Sequence, residues 1–265
     1  MRRSKIWETD IMQRTVQKWQ GAGNDFFVDV HGDDGWRWSA ESSRAICDRH
    51  RGFGADGLLE ARLAGSDVFM RLWNADGSVA EMSGNGLRCL TAAVLHSRGE
   101  AHGSLGVVTE AGHRVCEVTL EGTSGRGGSS MGAVTLGGTL DDVARIVNVG
   151  NPHLVVRDDA SWSNAQREEL AATLADKCGG GNVEFATVLS RSHVRISVIE
   201  RGVGWTMACG TGSVATAAAL RDAGAIDIPV TISNPGGDLV VDLRGDDAHL
   251  TGPVAYVGDV NWTVE

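Results

Sequence analysis

The chain has 265 residues, enough for one large domain or for two smaller ones that share a core. Hydrophobic residues make up 42% and charged residues 22%, the balance of a soluble globular chain, and no run approaches the roughly 18 apolar residues of a membrane span. With 24 basic against 34 acidic residues the net charge is −10, and no Lys/Arg block stands out, which argues against nucleic acid and anionic membrane as partners.

The opening "MRRSKIWETDIM" (residues 1–12) carries charge without an apolar core of signal-peptide type and reads as a tail, with Met12 as an alternative start. "TVQKWQGAGNDFFVDV" (Thr15 to Val30) predicts two short strands around a Gly-Ala-Gly-Asn turn. Glu41 to His50 predicts a helix, and Val68 to Ser78 a strand ending in a turn. "GFGADG" (Gly52 to Gly57) matches G-x-G-x-x-G but follows the helix-like "SRAICDRHR" instead of a strand, so a dinucleotide site is rejected. Alternation from Leu105 to Leu120 predicts strand, and "EGTSGRGGSSMG" (Glu121 to Gly132) predicts a hairpin tip or a boundary. In the second half, "RIVNVGNPHLVVR" predicts a strand pair, Asn164 to Asp176 a helix, and "NVEFATVLS" with "HVRISVIERG" another strand pair. A helix after Cys209 and strands around Gly236-Gly237 and Gly252 complete the chain. Many strands, few helices and no steady βαβ alternation predict an α+β fold of mostly antiparallel sheet.

Glycine, 36 of 265 residues, is present at about twice its usual share, which marks tight turns and close backbone approach to a ligand. Two such turns match. "MSGNGLRC" (Met82 to Cys89) and "ACGTGSVA" (Ala208 to Ala215) lie 126 residues apart, so that Ser83 falls on Cys209, and each leads into a helical pattern. Glycines before a helix leave its first N–H groups bare, and those donors with the helix dipole attract an anion such as a substrate carboxylate. The same position is expected to lower a thiol pKa, which singles out Cys209 among the five cysteines. Cys47, Cys89 and Cys116 are assigned to the core, and Cys178, in a loop before Gly179, has no chemical role. An odd count without a C-x-x-C pair fits a reduced, cytoplasmic protein better than a zinc knuckle or a disulfide scaffold. A carboxylate held between two helix ends, with an acid/base group on each side of its α-carbon, describes a racemase or epimerase without a cofactor.

These motifs, with "GAGNDF", "DRHRGFGADG", "NADGS", "GNPH", "NVEF" and "ERGVGWTMACGTG", resemble the diaminopimelate epimerase family along nearly the whole chain after the tail. The resemblance implies two pseudo-symmetric domains, each of sheet around a central helix, with the active site in the cleft between them and the last strand returning to the first domain. The expected division is 13–130 plus 254–265 against 131–253. It implies Ser83 and Cys209 as the catalytic pair, and Asn24, Asn74, Asn151, Asn182, Glu200 and Arg201 as holders of the substrate's distal amino-acid end. The backbone of Gly84, Asn85, Gly210 and Thr211 would take the reacting carboxylate, with His153 a polar neighbour. Amides, a carboxylate and a guanidinium suit a zwitterionic end. The resemblance further implies the lysine and peptidoglycan precursor pathway, no cofactor or metal, a small amino-acid substrate and a homodimer.

Two residues depart from the pattern. The family carries cysteine at the position of Ser83 and glutamate at that of Trp205. Serine is a poor base, so two-base inversion is expected to be impaired, and the disulfide that two cysteines could form there is lost. A substitution made to trap substrate would explain Ser83 alone; Trp205 favours a natural variant. Two alternatives stay open: a sister racemase or dehydratase in which a hydroxyl opposite a thiol accompanies loss of water, and a binding protein that kept the pocket without the chemistry.

Overall fold

A computed structural model describes residues 12–264, and the expected tail lies outside the described residues up to residue 11. In chain order the first half comprises β1 (Met12–Gly21), β2 (Asn24–Gly32), α1 (Ala40–Cys47), β3 (Gly57–Ala64), β4 (Asp67–Asn74), β5 (Val79–Ala80), α2 (Gly84–Arg98), β6 (His102–Thr109), β7 (Gly112–Glu121) and β8 (Ser124–Gly132). The second comprises β9 (Thr135–Leu140), β10 (Ala144–Asn148), β11 (Pro152–Arg157), α3 (Asn164–Lys177), β12 (Asn182–Ser190), β13 (His193–Glu200), β14 (Gly204–Thr206), α4 (Gly210–Asp222), β15 (Val230–Asn234), β16 (Gly237–Asp242) and β17 (Ala248–Val264).

The halves repeat one pairing scheme. A hairpin (β1–β2, β10–β11) leads through a helix to a parallel neighbour (β3, β12), then to an antiparallel strand (β4, β13) with a short partner (β5, β14). The central helix follows, and the next strand (β6, β15) joins in parallel. The long β17 ties the halves: it pairs β16 and β8 at its start and β1 toward its end, so the first-half strands close on themselves around α2. This is the mostly antiparallel α+β architecture with two pseudo-symmetric units.

Period-two alternation sends the two faces of each sheet to different helices. Leu59 and Ala61 pack with α2 while Leu58 packs with α1; Ala186 packs with α4 while Val183 and Phe185 pack with α3. Every residue of α2 from Gly84 to Leu95 and of α4 from Gly210 to Leu220 is buried, which explains why both are apolar or small nearly all round.

Two expectations are corrected. The helix placed at Glu41 to His50 ends at Cys47, because the Asp48 carboxylate accepts from the N–H groups of His50 (2.7 Å) and Arg51 (2.9 Å) and closes a local turn instead. The Gly/Ser stretch at Glu121 to Gly132 is mostly the interior strand β8, with the tip confined to Gly122 and Thr123. Its glycines fit because neighbours crowd them. A Cβ on Gly127 would meet Val118 at 2.8 Å and Arg88 at 3.2 Å, and one on Gly128 would meet His249 at 2.8 Å. Among the described residues no helix is long and apolar enough to cross a membrane.

Candidate active site

Ser83 and Cys209 occupy the same place in the two units, the N-cap of the central helix. The Ser83 hydroxyl accepts from Gly86 N–H at 3.0 Å, and the Cys209 sulfur accepts from Gly212 N–H at 3.3 Å. Serine is a strong cap on its own account, so Ser83 has a structural use whatever its chemistry. The two helix starts meet: a Cβ on Gly210 would lie 3.5 Å from the Gly84 Cα, and one on either glycine would touch Leu250 at 3.0 Å. A Cβ at either position would press on the end of the Leu250 side chain. The first N–H groups of both helices, those of Gly84, Asn85, Gly210 and Thr211, therefore converge with no partner inside their own helices.

Asn85 crosses the junction. Its amide donates to the Asn24 side chain and to the Ala208 carbonyl, both at 3.3 Å, joining the first hairpin turn to the segment before Cys209. Asn24 also donates to Asp56 at 2.7 Å, and Arg49 ties Asp56 (2.8 Å) to Asp25 (2.6 Å). "DRHRGFGADG" thus clamps the "GAGND" turn. It enters strand β3 rather than a helix, in keeping with the rejection of a dinucleotide site.

Behind Cys209 lies a buried polar network. His153 Nδ1 pairs with Glu184 Oε1 at 2.7 Å and His153 Nε2 with Asn151 Oδ1 at 2.9 Å, with His153 and Glu184 fully enclosed. Glu184 presses on the start of α4, where a Cβ on Gly212 would come within 2.5 Å of its Oε1. Glu200 accepts from Thr206 Oγ1 at 2.8 Å and is an electrostatic neighbour of the Cys209 thiol. Burial pushes the Glu200 carboxyl up, and the neighbouring Glu184 adds to the shift. The Cys209 N–H is held by Asn234 Oδ1 at 3.3 Å.

The helix start does not lower the Cys209 thiol as expected. Burial pushes it well above its ordinary value and the charges of Glu200 and Glu184 push it further. The hydrogen bonds from Thr211 and Gly212 pull down without prevailing. Burial also pushes Cys47 and Cys89 up to about 12 and Cys116 to about 11, in keeping with their assignment to the core.

Of the other predicted residues, Asn182 is buried and accepts from Arg201 N–H at 3.0 Å, and the Asn74 amide donates to Ser78 at 3.0 Å. Register places Asn74 and Glu200 at matching ends of β4 and β13, Asn74 opposite Gly57 and Glu200 one residue beyond the Val183–Ile199 pair. Arg201 is exposed, its side chain running beside Gly180 and not into the junction. Trp205 also turns away from the junction: its Nε1 donates to Glu168 of α3 at 2.6 Å, and its ring lies 6.3 Å from that of Phe185. It belongs to the outer, α3 face of the unit. Sequence reasoning missed Glu184, Asn234 and Arg88. Glu184 was within reach, since two residues on from Asn182 in a strand it shares that residue's face. Nothing local marked Asn234. Among the described residues no group of His, Cys, Asp and Glu is placed to hold a metal ion.

A family model described as diaminopimelate epimerase matches residues 16–137 and 145–262. The chain is 36% identical over 273 residues to a diaminopimelate epimerase of Synechococcus elongatus, covering 93% of this chain and 97% of that one. It is 38% identical over 279 residues to the enzyme of that name from Rhodococcus opacus, covering 92% and 95%. Among solved structures, a predicted epimerase from Pseudomonas aeruginosa superposes with a TM-score of 0.75 at 15% identity, covering 95% of this chain and all of that one. A hydroxyproline epimerase from Agrobacterium vitis with bound trans-4-hydroxy-L-proline superposes at 0.70 and 14%, covering 96% and 92%. At these identities the two structures speak to the fold.

Proposed function

We propose that this chain, which belongs to the diaminopimelate epimerase family, interconverts LL- and meso-diaminopimelate by removing the α-proton on one face of the carbon and returning one on the other. The observation that carries the reading is the pair of abutting helix starts at Gly84 and Gly210, each capped by a side chain able to exchange a proton. The reacting carboxylate takes the converging N–H groups, which also stabilise the charge that enters it as the proton leaves. Cys209 serves one face. Its thiol must first lose a proton, and Glu200, with its raised carboxyl, is the group beside it suited to accept one. Ser83 serves the other face and sets the pace of inversion, because a hydroxyl gives up its proton far less readily than a thiol. Asn24, Asn74, Asn151, Asn182 and Arg201 hold the distal amino-acid end, Arg201 by swinging in from solvent, while Glu200, expected among them, is given over to the Cys209 proton instead.

The same reading carries a homodimer, a cytoplasmic setting, no cofactor, and a division into 13–130 plus 254–265 and 131–253. The test is incubation with LL-diaminopimelate in D₂O, following α-deuterium by NMR and stereochemistry by chiral chromatography. Deuterium uptake with slow formation of the meso isomer is expected. Binding without any exchange would leave a pocket without the chemistry and contradict the proposal.

A further inference from the structure

Arg88, in the second turn of α2, is fully buried, and no carboxylate among the described residues pairs with it. Its Nη1 donates to the Gly84 carbonyl at 3.2 Å and its Nη2 to the Asn85 side chain at 2.5 Å, while Nε has no partner among the described residues. Three strands leave room for it. A Cβ on Gly252 would come within 2.8 Å of Nη2, one on Gly127 within 3.2 Å of Cδ, and one on Gly21 within 3.5 Å of Nη2. Gly127 and Gly252 face each other across the β8–β17 ladder, so the slot is built by register. The position matching Arg88 in α4, 126 residues on, is the apolar Val214.

A guanidinium stays charged in a protein, and a buried, unpaired charge is strongly unfavourable. Sequence and packing here keep one all the same, hydrogen-bonded to the two residues that open α2. We propose that Arg88 is a positioning residue for the reacting carboxylate: a fixed cation beneath the Gly84–Asn85 N–H groups, whose counter-charge is the substrate. This rests on the epimerase reading above. As the α-proton leaves, the carboxylate becomes an enediolate with a second negative charge, and a cation in a dry site favours that state over the bound ground state. Through Asn85, the same guanidinium fixes the amide that spans Asn24 and Ala208. The buried Glu184 and half-buried Glu200 stand on the Cys209 side, so positive charge backs one helix start and negative charge the other.

The experiment compares the unsubstituted chain with Arg88→Met and Arg88→Lys, measuring α-deuterium exchange at saturating and limiting substrate, with folding checked by circular dichroism and thermal melting. Exchange at saturation is expected to fall about 100-fold in folded Arg88→Met, with a smaller change in KM, and to stay within about tenfold in Arg88→Lys. A folded Arg88→Met that exchanges at the original rate overturns the proposal, as does equal impairment of two folded variants, which would make shape the operative property. If Arg88→Met does not fold, Arg88→Lys decides: exchange within about tenfold supports the proposal, and a loss of about 100-fold overturns it. Absence of exchange in the unsubstituted chain would instead sink the epimerase reading, and the role of Arg88 with it.

Discussion

At the start of α2, a Cβ on Gly86 would rest on Leu59 at 3.4 Å; at the start of α4, one on Gly212 would strike Glu184 at 2.5 Å. The strand registers make these positions equivalents: Phe26–Gly57 and Val28–Leu59 in one unit answer to His153–Asn182 and Val155–Glu184 in the other. Phe26 and Leu59, both buried and apolar, thus stand where His153 and Glu184 stand behind Cys209. The same backbone carries a plain N-cap serine over hydrocarbon in one half and a thiol over acid/base groups in the other. Duplication supplies the geometry of a two-faced site. Under the proposed function, side chains at matching positions then decide which face does the proton chemistry readily.

Removing the active side of this comparison has the largest effect. Cys209→Ala is expected to cut α-hydrogen exchange by about 10³- to 10⁴-fold, measured by NMR in D₂O, whereas Ser83→Ala should leave exchange from the Cys209 face largely intact. Making the halves more alike comes next. Ser83→Cys is expected to raise formation of the opposite isomer by about 100-fold relative to exchange. It should also make activity sensitive to oxidation, through a disulfide between the introduced thiol and Cys209 that a thiol reductant reverses.

The remaining two predictions concern packing and charge. Gly212→Ala forces a Cβ into Glu184 and is expected to destabilise by about 1–3 kcal/mol, against less for Gly86→Ala, whose nearest neighbour is Ser83 Cβ at 3.2 Å. Thermal melts of the two variants test the order. Glu184→Gln removes one of the two carboxylates that push the Cys209 thiol up. The pH at which Cys209 becomes alkylatable should then move down, because the thiolate loses a nearby like charge. A shift upward, or none, would remove Glu184 from the electrostatics of the site.

Much of this asymmetry was readable in the sequence, and the rest was hidden for physical reasons. Local glycine patterns exposed the duplicated turns, and the 126-residue spacing holds across the β4–β5 and β13–β14 hairpins, where Trp73–Val79 answers to Ile199–Trp205. The GAGN turn was equally legible; its Ala22 and Gly23 take φ of 52° and 81°. The Gly/Ser stretch misled because glycine in a strand interior is selected by neighbours, here Arg88, Val118 and His249, which lie elsewhere in the chain. The thiol's direction of shift misled likewise. A helix start is visible locally, but enclosure and the approach of Glu184 and Glu200 are tertiary facts. Arg88 was not singled out, since only the closed strands around α2 make it a buried cation.

The most direct measurement starts from each isomer separately, LL and meso, in D₂O, and compares deuterium in recovered substrate with deuterium in product at early times. If Cys209 alone is a ready base, the isomer that presents its α-proton to Cys209 will take up deuterium without inverting, while the other will do neither at a comparable rate. Equal exchange from both isomers, keeping pace with inversion, would show the Ser83 face to be as competent as the Cys209 face and would contradict the account.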